Sequence, residues 1–471
     1  MREYLKFYID GKWVDPVEPK TADVINPATE EVSGRISLGN TADVNKAVAA
    51  ARKAFKTWSQ TTRGQRLEIL EAVLVQYEKR QSDIGDAIME EMGAPSSLAQ
   101  GFHVFLGSGH LKTVIEVLRD FKFEEQRGAT RIVKEPIGVC ALITPWNWPI
   151  NQIAVKAFPA LAAGCTMILK PAQLSPYSAQ ILAEVIDAAG VPPGVFNLLQ
   201  GSGSLIGTAL STHPDVDMIS FTGSESVGVE IAKNAAPTVK RVCQELGGKS
   251  PFIVLDDANL AKNVAEATST MMGNSGQTCS AGSRLLVPNA RMDDAVKAAR
   301  EAAESVTVGD PKGNCAMGPV VSKGQYNIIQ QYIQKGLDEG ATLIAGGLGR
   351  PAGLDRGWYV KPTVFVGTND MVIAREEIFG PVLVVIGYKD IEHAVEIAND
   401  TDFGLAGYVS GADVEQCRAV GRRIRAGWIG LNGGFDFHAA FGGYKRSGNG
   451  REWGEFGFHE YLEVKSLLGY G

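Results

Sequence analysis

Cysteine is scarce in this chain. Its 471 residues include six, Cys140, Cys165, Cys243, Cys279, Cys315 and Cys417, and none pairs at CxxC or zinc-knuckle spacing. Neither a disulfide framework nor a metal centre is expected, and a reducing compartment fits. Long apolar runs are also missing. The longest, Ala157 to Leu169, is 13 residues bracketed by Lys156 and Lys170 and contains Pro159 and Gly164; that is too short to span a bilayer. The start, Met1-Arg2-Glu3-Tyr4-Leu5-Lys6, lacks the apolar stretch of a secretory signal. No Lys/Arg-rich run is present, and the net charge is 46 − 53 = −7. A nucleic-acid partner is therefore not expected. These absences predict a soluble, cytoplasmic protein with no membrane segment.

Apolar residues at 45% and charged residues at 21% are those of a globular chain. At roughly 100–200 residues per domain the length predicts two to four domains, three being central. Glycine is abundant, 54 residues without a period, which means either ordinary loops or many close approaches of backbone to ligand.

The first segment reads mainly as helix. Val44, Ala47, Val48, Ala51, Phe55 and Trp58 recur at helical spacing after Gly39-Asn40-Thr41, and a charged amphipathic helix runs from Arg63 to about Glu91. Both are expected to pack on a sheet formed later. From residue 139 short apolar strands alternate with helices: Val139–Thr144, Thr166–Leu169, Val195–Leu199 and Met218–Thr222, with helices near 176–189, 204–210 and from 226. After Gly247-Gly248 a second series has strands Phe252–Leu255, Arg284–Val287, Thr363–Val366, Val382–Ile386 and Trp428–Leu431. Its helices fall near 260–272, 291–304, 324–338, 391–399 and 413–424. Such alternation predicts parallel sheets covered on both faces, which bind ligands at the carboxyl ends of their strands. The boundary between the two units falls near Leu246, and no internal repeat is present.

Four places could carry chemistry. The turn Phe221-Thr222-Gly223-Ser224-Glu225-Ser226-Val227-Gly228 opens a helix at GxxxxG spacing, which suits either a phosphate on free N–H groups or a plain tight turn. Cys279 lies in Gly276-Gln277-Thr278-Cys279-Ser280-Ala281-Gly282, among small and polar residues. It is either a nucleophile favoured by a base or dipole, or an inert core thiol like Cys140, Cys165 and Cys243. Glu245, before Leu246-Gly247-Gly248-Lys249, is either a solvated strand end or a general base with a raised pKa. Asn147, framed by Pro145 and Pro149, presents an amide either to an oxyanion or as a helix cap.

Together with Glu376-Glu377-Ile378-Phe379-Gly380-Pro381 and Phe441-Gly442-Gly443-Tyr444-Lys445-Arg446-Ser447-Gly448, these motifs occur in one order from about Ile9 to Lys465. In that order the chain resembles the NAD(P)-dependent aldehyde dehydrogenase superfamily. The resemblance implies an α/β fold with a Rossmann-like parallel-sheet cofactor domain (1–120 and 138–246) and a second α/β catalytic domain (247–447). A small β oligomerisation arm with a C-terminal segment (121–137 and 448–471) completes it, implying a homodimer or homotetramer. It further implies oxidation of an aldehyde to the acid, with Cys279 as nucleophile, Asn147 and the Cys279 N–H holding the oxyanion, and Glu245 activating the hydrolytic water.

For the cofactor the resemblance places Lys170 and Gln173 at the adenosine ribose and Trp146, Gly223 and Ser224 near the pyrophosphate. Gly228 and Leu246 complete that edge, Glu377 binds the nicotinamide ribose, and Phe379 packs near the ring. Members preferring NAD commonly carry a carboxylate where this chain has Gln173, so NAD use with tolerance of NADP is expected. Trp148, Asn151, Gln152, Val155, Thr278, Ser280, Phe435 and Phe437 are expected to line the substrate pocket, and polar Asn151 and Gln152 either meet a second polar group of the substrate or face neighbouring backbone. A CoA-acylating relative would need no base at Glu245, and a non-catalytic binding protein would need none of Asn147, Glu245, Cys279 and Glu377.

Overall fold

The computed structural model describes all 471 residues. Five short strands lie parallel in the order Arg241–Glu245, Met218–Thr222, Val139–Ile143, Thr166–Lys170 and Phe196–Leu198. A hairpin, Phe7–Ile9 and Lys12–Val14, continues the sheet antiparallel. Successive residues of one strand enter different cores. Cys140 and Leu142 join the larger apolar cluster, while Val139, Ala141 and Ile143 join the one on the opposite face. Burial on both sides is why these runs are apolar without alternation.

The second sheet repeats the logic, in the order Thr342–Ala345, Thr363–Val366, Val382–Tyr388, Arg284–Pro288, Pro251–Val254, Ala406–Ser410 and Trp428–Leu431. All of its pairs are parallel except that of Thr342–Ala345. Leu286 faces one core, Leu285 and Val287 the other. The first sheet's last strand ends at Glu245 and the second sheet begins at Pro251. A third, antiparallel sheet joins Leu462–Leu468, Thr130–Pro136 and Glu124–Arg127. It gathers the segment before the first parallel strand and the C-terminal tail.

The helix Thr41–Trp58 starts as its sequence predicts: Asn40 and Asp43 form a reciprocal capping box. It packs on the first sheet, with Val44, Ala47, Val48 and Ala51 in the core. Upstream of it the expectation of helix fails. Arg2–Tyr4, Glu31–Ser37 and Thr21–Asn26 form a small sheet of their own. The stretch from Arg63 to Glu91 is two helices, Arg63–Lys79 and Gln81–Met92. Near the end of the first, buried Tyr77 donates to the Val104 carbonyl at 2.9 Å. The second helix then turns Ile84, Ala87 and Ile88 into the core. Arg63–Lys79 packs on the helices Val104–Asp120, Pro149–Ala163 and Tyr177–Ala188, not on a sheet. Helix Val104–Asp120, preceded by a π-helical turn over Ala99–His103, and strand Ala406–Ser410 were not foreseen. No helix is long and apolar enough to cross a membrane.

Candidate active site

After helix Leu260–Met272 the chain folds back through three consecutive residues with positive φ: Asn274 (52°), Ser275 (57°) and Gly276 (68°). Two of them carry side chains, so the turn is strained and must be held from outside. Asn274 Nδ2 donates to the Asn147 carbonyl at 2.8 Å, and Ser275 Oγ to that of Gly318 at 2.9 Å. Gln277 donates through Nε2 to the Asn274 carbonyl (3.1 Å) and accepts the Val321 N–H at Oε1 (2.9 Å). The turn delivers Cys279, which is half-buried while the other five cysteines are buried. A Cβ on Gly248 would lie 2.5 Å from the Cys279 carbonyl oxygen, so only glycine lets the two loops pass this closely.

Asn147 meets this loop from the other sheet. Its Nδ2 donates to the Gln277 carbonyl at 3.0 Å, and Trp148 Nε1 donates to Thr278 Oγ1 at 3.0 Å. Asn147 does not cap the next helix, whose N-cap is Trp148 without a side-chain bond. Burial, then the nearby Glu377 and Glu245 carboxylates, push the Cys279 pKa well up, so the resting group is a thiol.

Glu245 ends its strand almost fully buried, at 2% exposure, and neither carboxylate oxygen has a hydrogen-bond partner. It is not a solvated strand end. Burial and then Glu452 raise its pKa well above the ordinary carboxylate range, against Lys156 and Arg451. Lys156 and Glu452 form a buried ion pair beside it, and Lys156 Nζ also donates to Thr222 Oγ1 at 2.7 Å. Sequence reasoning missed both. The available signal was Lys156, a lone charge in a helix whose every residue is buried.

The remaining motif residues fall along the carboxyl edge of the first sheet. Lys170 ends its strand and donates through Nζ to the Pro171 carbonyl at 3.0 Å; burial lowers its pKa to about 8. Gln173 lies partly exposed three residues on. Gly223 and Ser224 follow strand Met218–Thr222, and Ser224, the N-cap of helix Glu225–Ala235, makes no side-chain cap bond. Gly228 accepts a hydrogen bond from Gln244 and packs close to Leu246. Across the cleft Glu377 accepts the Gly248 N–H at 3.0 Å, and burial pushes its pKa up to about 7. Trp146 and Phe379 meet edge-on at 5.3 Å.

Residues 13–467 match the model of the aldehyde dehydrogenase family. The chain belongs to the aldehyde dehydrogenase family. It is 53% identical to a 3-succinoylsemialdehyde-pyridine dehydrogenase from a Pseudomonas species, over all of this chain and 99% of that one. Among solved structures it is similar to a variant of aldehyde dehydrogenase C from Pseudomonas syringae complexed with NAD+ and octanal. That match has 48% identity and a TM-score of 0.98, covering 99% and 97% of the two chains. Betaine aldehyde dehydrogenase from Staphylococcus aureus with NAD+ is 35% identical at a TM-score of 0.96, covering 99% and 95%. The fold is that of these aldehyde dehydrogenases, and the chain is an oxidoreductase acting on aldehydes.

In this aldehyde dehydrogenase the expected pocket residues divide. Trp148 and Thr278 adjoin Cys279, and Phe435 and Phe437 meet each other at 5.0 Å. Asn151 accepts from His110 Nε2 at 2.9 Å, while the buried Gln152 Oε1 has no partner. Val155 is buried, and the Ser280 carbonyl accepts the Tyr408 hydroxyl at 2.8 Å. Phe102, Phe105, His110 and Trp453 join the group through ring contacts that the sequence did not signal.

Proposed function

We propose that this aldehyde dehydrogenase converts an aldehyde to its carboxylic acid with NAD through a covalent adduct on Cys279. The observation that carries the reading is the bond from Asn147 Nδ2 to the Gln277 carbonyl, two residues before the thiol. It holds an amide donor from one sheet against the nucleophile's loop from the other. Cys279 loses its proton to solvent, its Sγ attacks the aldehyde carbon, and the carbonyl oxygen becomes an oxyanion facing Asn147 Nδ2 and the Cys279 N–H. NAD, when bound, supplies the hydride acceptor that turns this adduct into a thioester. Glu245 then draws a proton from water, which attacks the thioester carbon and frees Cys279. Burial beside Glu452 keeps the Glu245 carboxyl a strong enough base for that task once ionised.

The residues present fit a dinucleotide. The N–H groups opening helix Glu225–Ala235 lack a side-chain cap and suit a pyrophosphate. Lys170 and Gln173 suit the adenosine ribose, with Gly223, Gly228 and Leu246 shaping that edge. Trp146, Glu377 and Phe379 suit the nicotinamide end. The bound NAD+ of the Pseudomonas syringae and Staphylococcus aureus relatives supports the same cofactor here. Gln173 carries no charge to repel a 2′-phosphate, so NADP is tolerated.

Residues 1–120 with 138–246 form the cofactor domain and 247–447 the catalytic domain. Segments 121–137 and 448–471 supply the arm, whose exposed Val464 and Leu468 and unpaired edges favour a homodimer or homotetramer. Six free cysteines suit a reducing cytoplasm. NADH formation across an aldehyde panel, with Cys279→Ala as control, tests the reading. An unimpaired control would overturn it.

A further inference from the structure

A run of aromatic side chains begins at Trp148, which bonds the neighbour of Cys279, and its outer members are not packed as a core. Trp148, bonded to Thr278 beside the thiol, meets Phe102 edge-on at 5.8 Å and 86°. Phe102 meets Phe435 at 6.1 Å, and Phe435 meets Phe437 at 5.0 Å and Trp453 at 5.5 Å. The planes in these pairs are inclined by 62°, 85° and 61°. Phe102 and Phe435 nevertheless remain 40% and 44% exposed. Burial does not explain large rings left open to solvent in a continuous path from the nucleophile.

The backbone is distorted to place them. Phe102 lies in the π-helical turn Ala99–His103, a feature that recurs at functional sites. Trp453 has φ 68° and ψ 151°, a conformation that a residue with a side chain rarely holds. Its indole is kept there by stacking on Phe441 at 4.9 Å and by His110 at 5.0 Å. Gly109 completes the arrangement, since any side chain on it would collide with the Phe437 ring. The π turn and Gly109 on one helical segment, and the strained Trp453 on another, all bear on one set of rings.

We propose that the substrate is an aldehyde bearing an aromatic ring away from its reacting carbon. That ring seats edge-to-face among Phe102, Phe435, Phe437 and Trp453, which set specificity. The inference rests on the aldehyde oxidation proposed above and adds the class of aldehyde. Edge-to-face partners reward a π quadrupole beyond its apolar area. Each pair favours an aryl group over a saturated ring of similar shape by about two- to tenfold.

The test compares kcat/KM for NADH formation from phenylalkanals with one to four methylenes before the aldehyde and from their cyclohexyl counterparts. Both series bury similar apolar area, so their ratio isolates the ring–ring contribution. The native enzyme should favour phenyl by about tenfold or more at one chain length at least. In Phe102→Leu and Phe435→Leu, whose exposed positions spare the core, that ratio should fall towards one. A cyclohexyl series equal to or better than the phenyl series at every length overturns the inference, as does a ratio that neither variant moves. NADH from no aldehyde at all would instead sink the oxidation reading, and this one with it.

Discussion

Truncating Asn147 to alanine separates its catalytic part from its structural one. In the resting protein its amide makes one neutral hydrogen bond, Nδ2 to the Gln277 carbonyl at 3.0 Å. Removing it leaves that carbonyl partly served by Asn274 Nδ2 at 3.4 Å. The Asn147 carbonyl, which anchors Asn274, is backbone and survives. The stability loss should therefore be near that of one hydrogen bond, about 1 kcal/mol, a shift of roughly 2–4 °C or less in a thermal midpoint. The kinetic loss should be far larger. A donor aimed at a developing oxyanion contributes about 10²–10³ in rate, or roughly 3–4 kcal/mol. Single-turnover formation of NADH from a saturating aldehyde reads the acylation half-reaction, and a thermal scan reads the fold. A rate within tenfold of the native enzyme would refute the oxyanion role, because the Cys279 N–H alone would then suffice. A rate loss accompanied by a midpoint drop beyond about 10 °C would instead show that Asn147 only braces the Cys279 loop.

Glu245→Gln should leave a first-turnover burst of NADH while steady turnover falls by about 10² or more; loss of the burst as well would place Glu245 in acylation. In the native enzyme the raised Glu245 pKa means that the base form fills only as pH rises above the ordinary carboxylate range, so steady turnover should climb with pH there; a falling profile contradicts this. Because Glu377 is the leading charge raising the Cys279 pKa, Glu377→Gln should speed alkylation of Cys279 by iodoacetamide severalfold at pH 8, where the native carboxyl, at about 7, is ionised. Unchanged or slower labelling would show that the charge is not felt. Glu91 is fully buried against the Tyr177 and Ser178 N–H groups, and burial raises its pKa from 4.5 to about 7. The folded state thus holds the extra proton between those values, and stability falls as pH rises through them, by about 3 kcal/mol. Glu91→Gln should flatten that decline in thermal scans, and an unaltered slope would assign the effect to another group.

The parts of this site that were legible in the sequence are those where the chemistry constrains the backbone. Asn147 announces itself because prolines on either side fix its peptide, and Cys279 because a nucleophile under a close-passing loop needs glycine and small neighbours. The parallel strands were legible for a similar reason: burial on two faces permits only apolar residues, so Met218–Thr222 and Thr363–Val366 stand out in any frame. What was illegible depends on distance along the chain. Lys156 and Glu452 lie 296 residues apart and pair only because the C-terminal segment returns to the first sheet, where Gly448 bridges Glu245. The three-residue strands before Ser37 have no period to detect, and Phe102 and Trp453 owe their direction to a π turn and a positive φ that composition does not encode.

This difference bears on function directly. The groups that make the reaction possible sit at strand ends and tight turns, where local sequence dictates local geometry. The groups that tune it, the Lys156–Glu452 pair beside Glu245 and the run of rings that starts at Trp148, come from segments that meet only in the finished fold. One catalytic scheme can therefore persist through changes in the tail and in the helices around Phe102 and Phe105, while those same changes alter the pKa of Glu245 and the shape of the aldehyde admitted. Glu452 and Trp453 are adjacent, so a single shift of the C-terminal segment would move both the proton affinity of the base and the fit of the substrate.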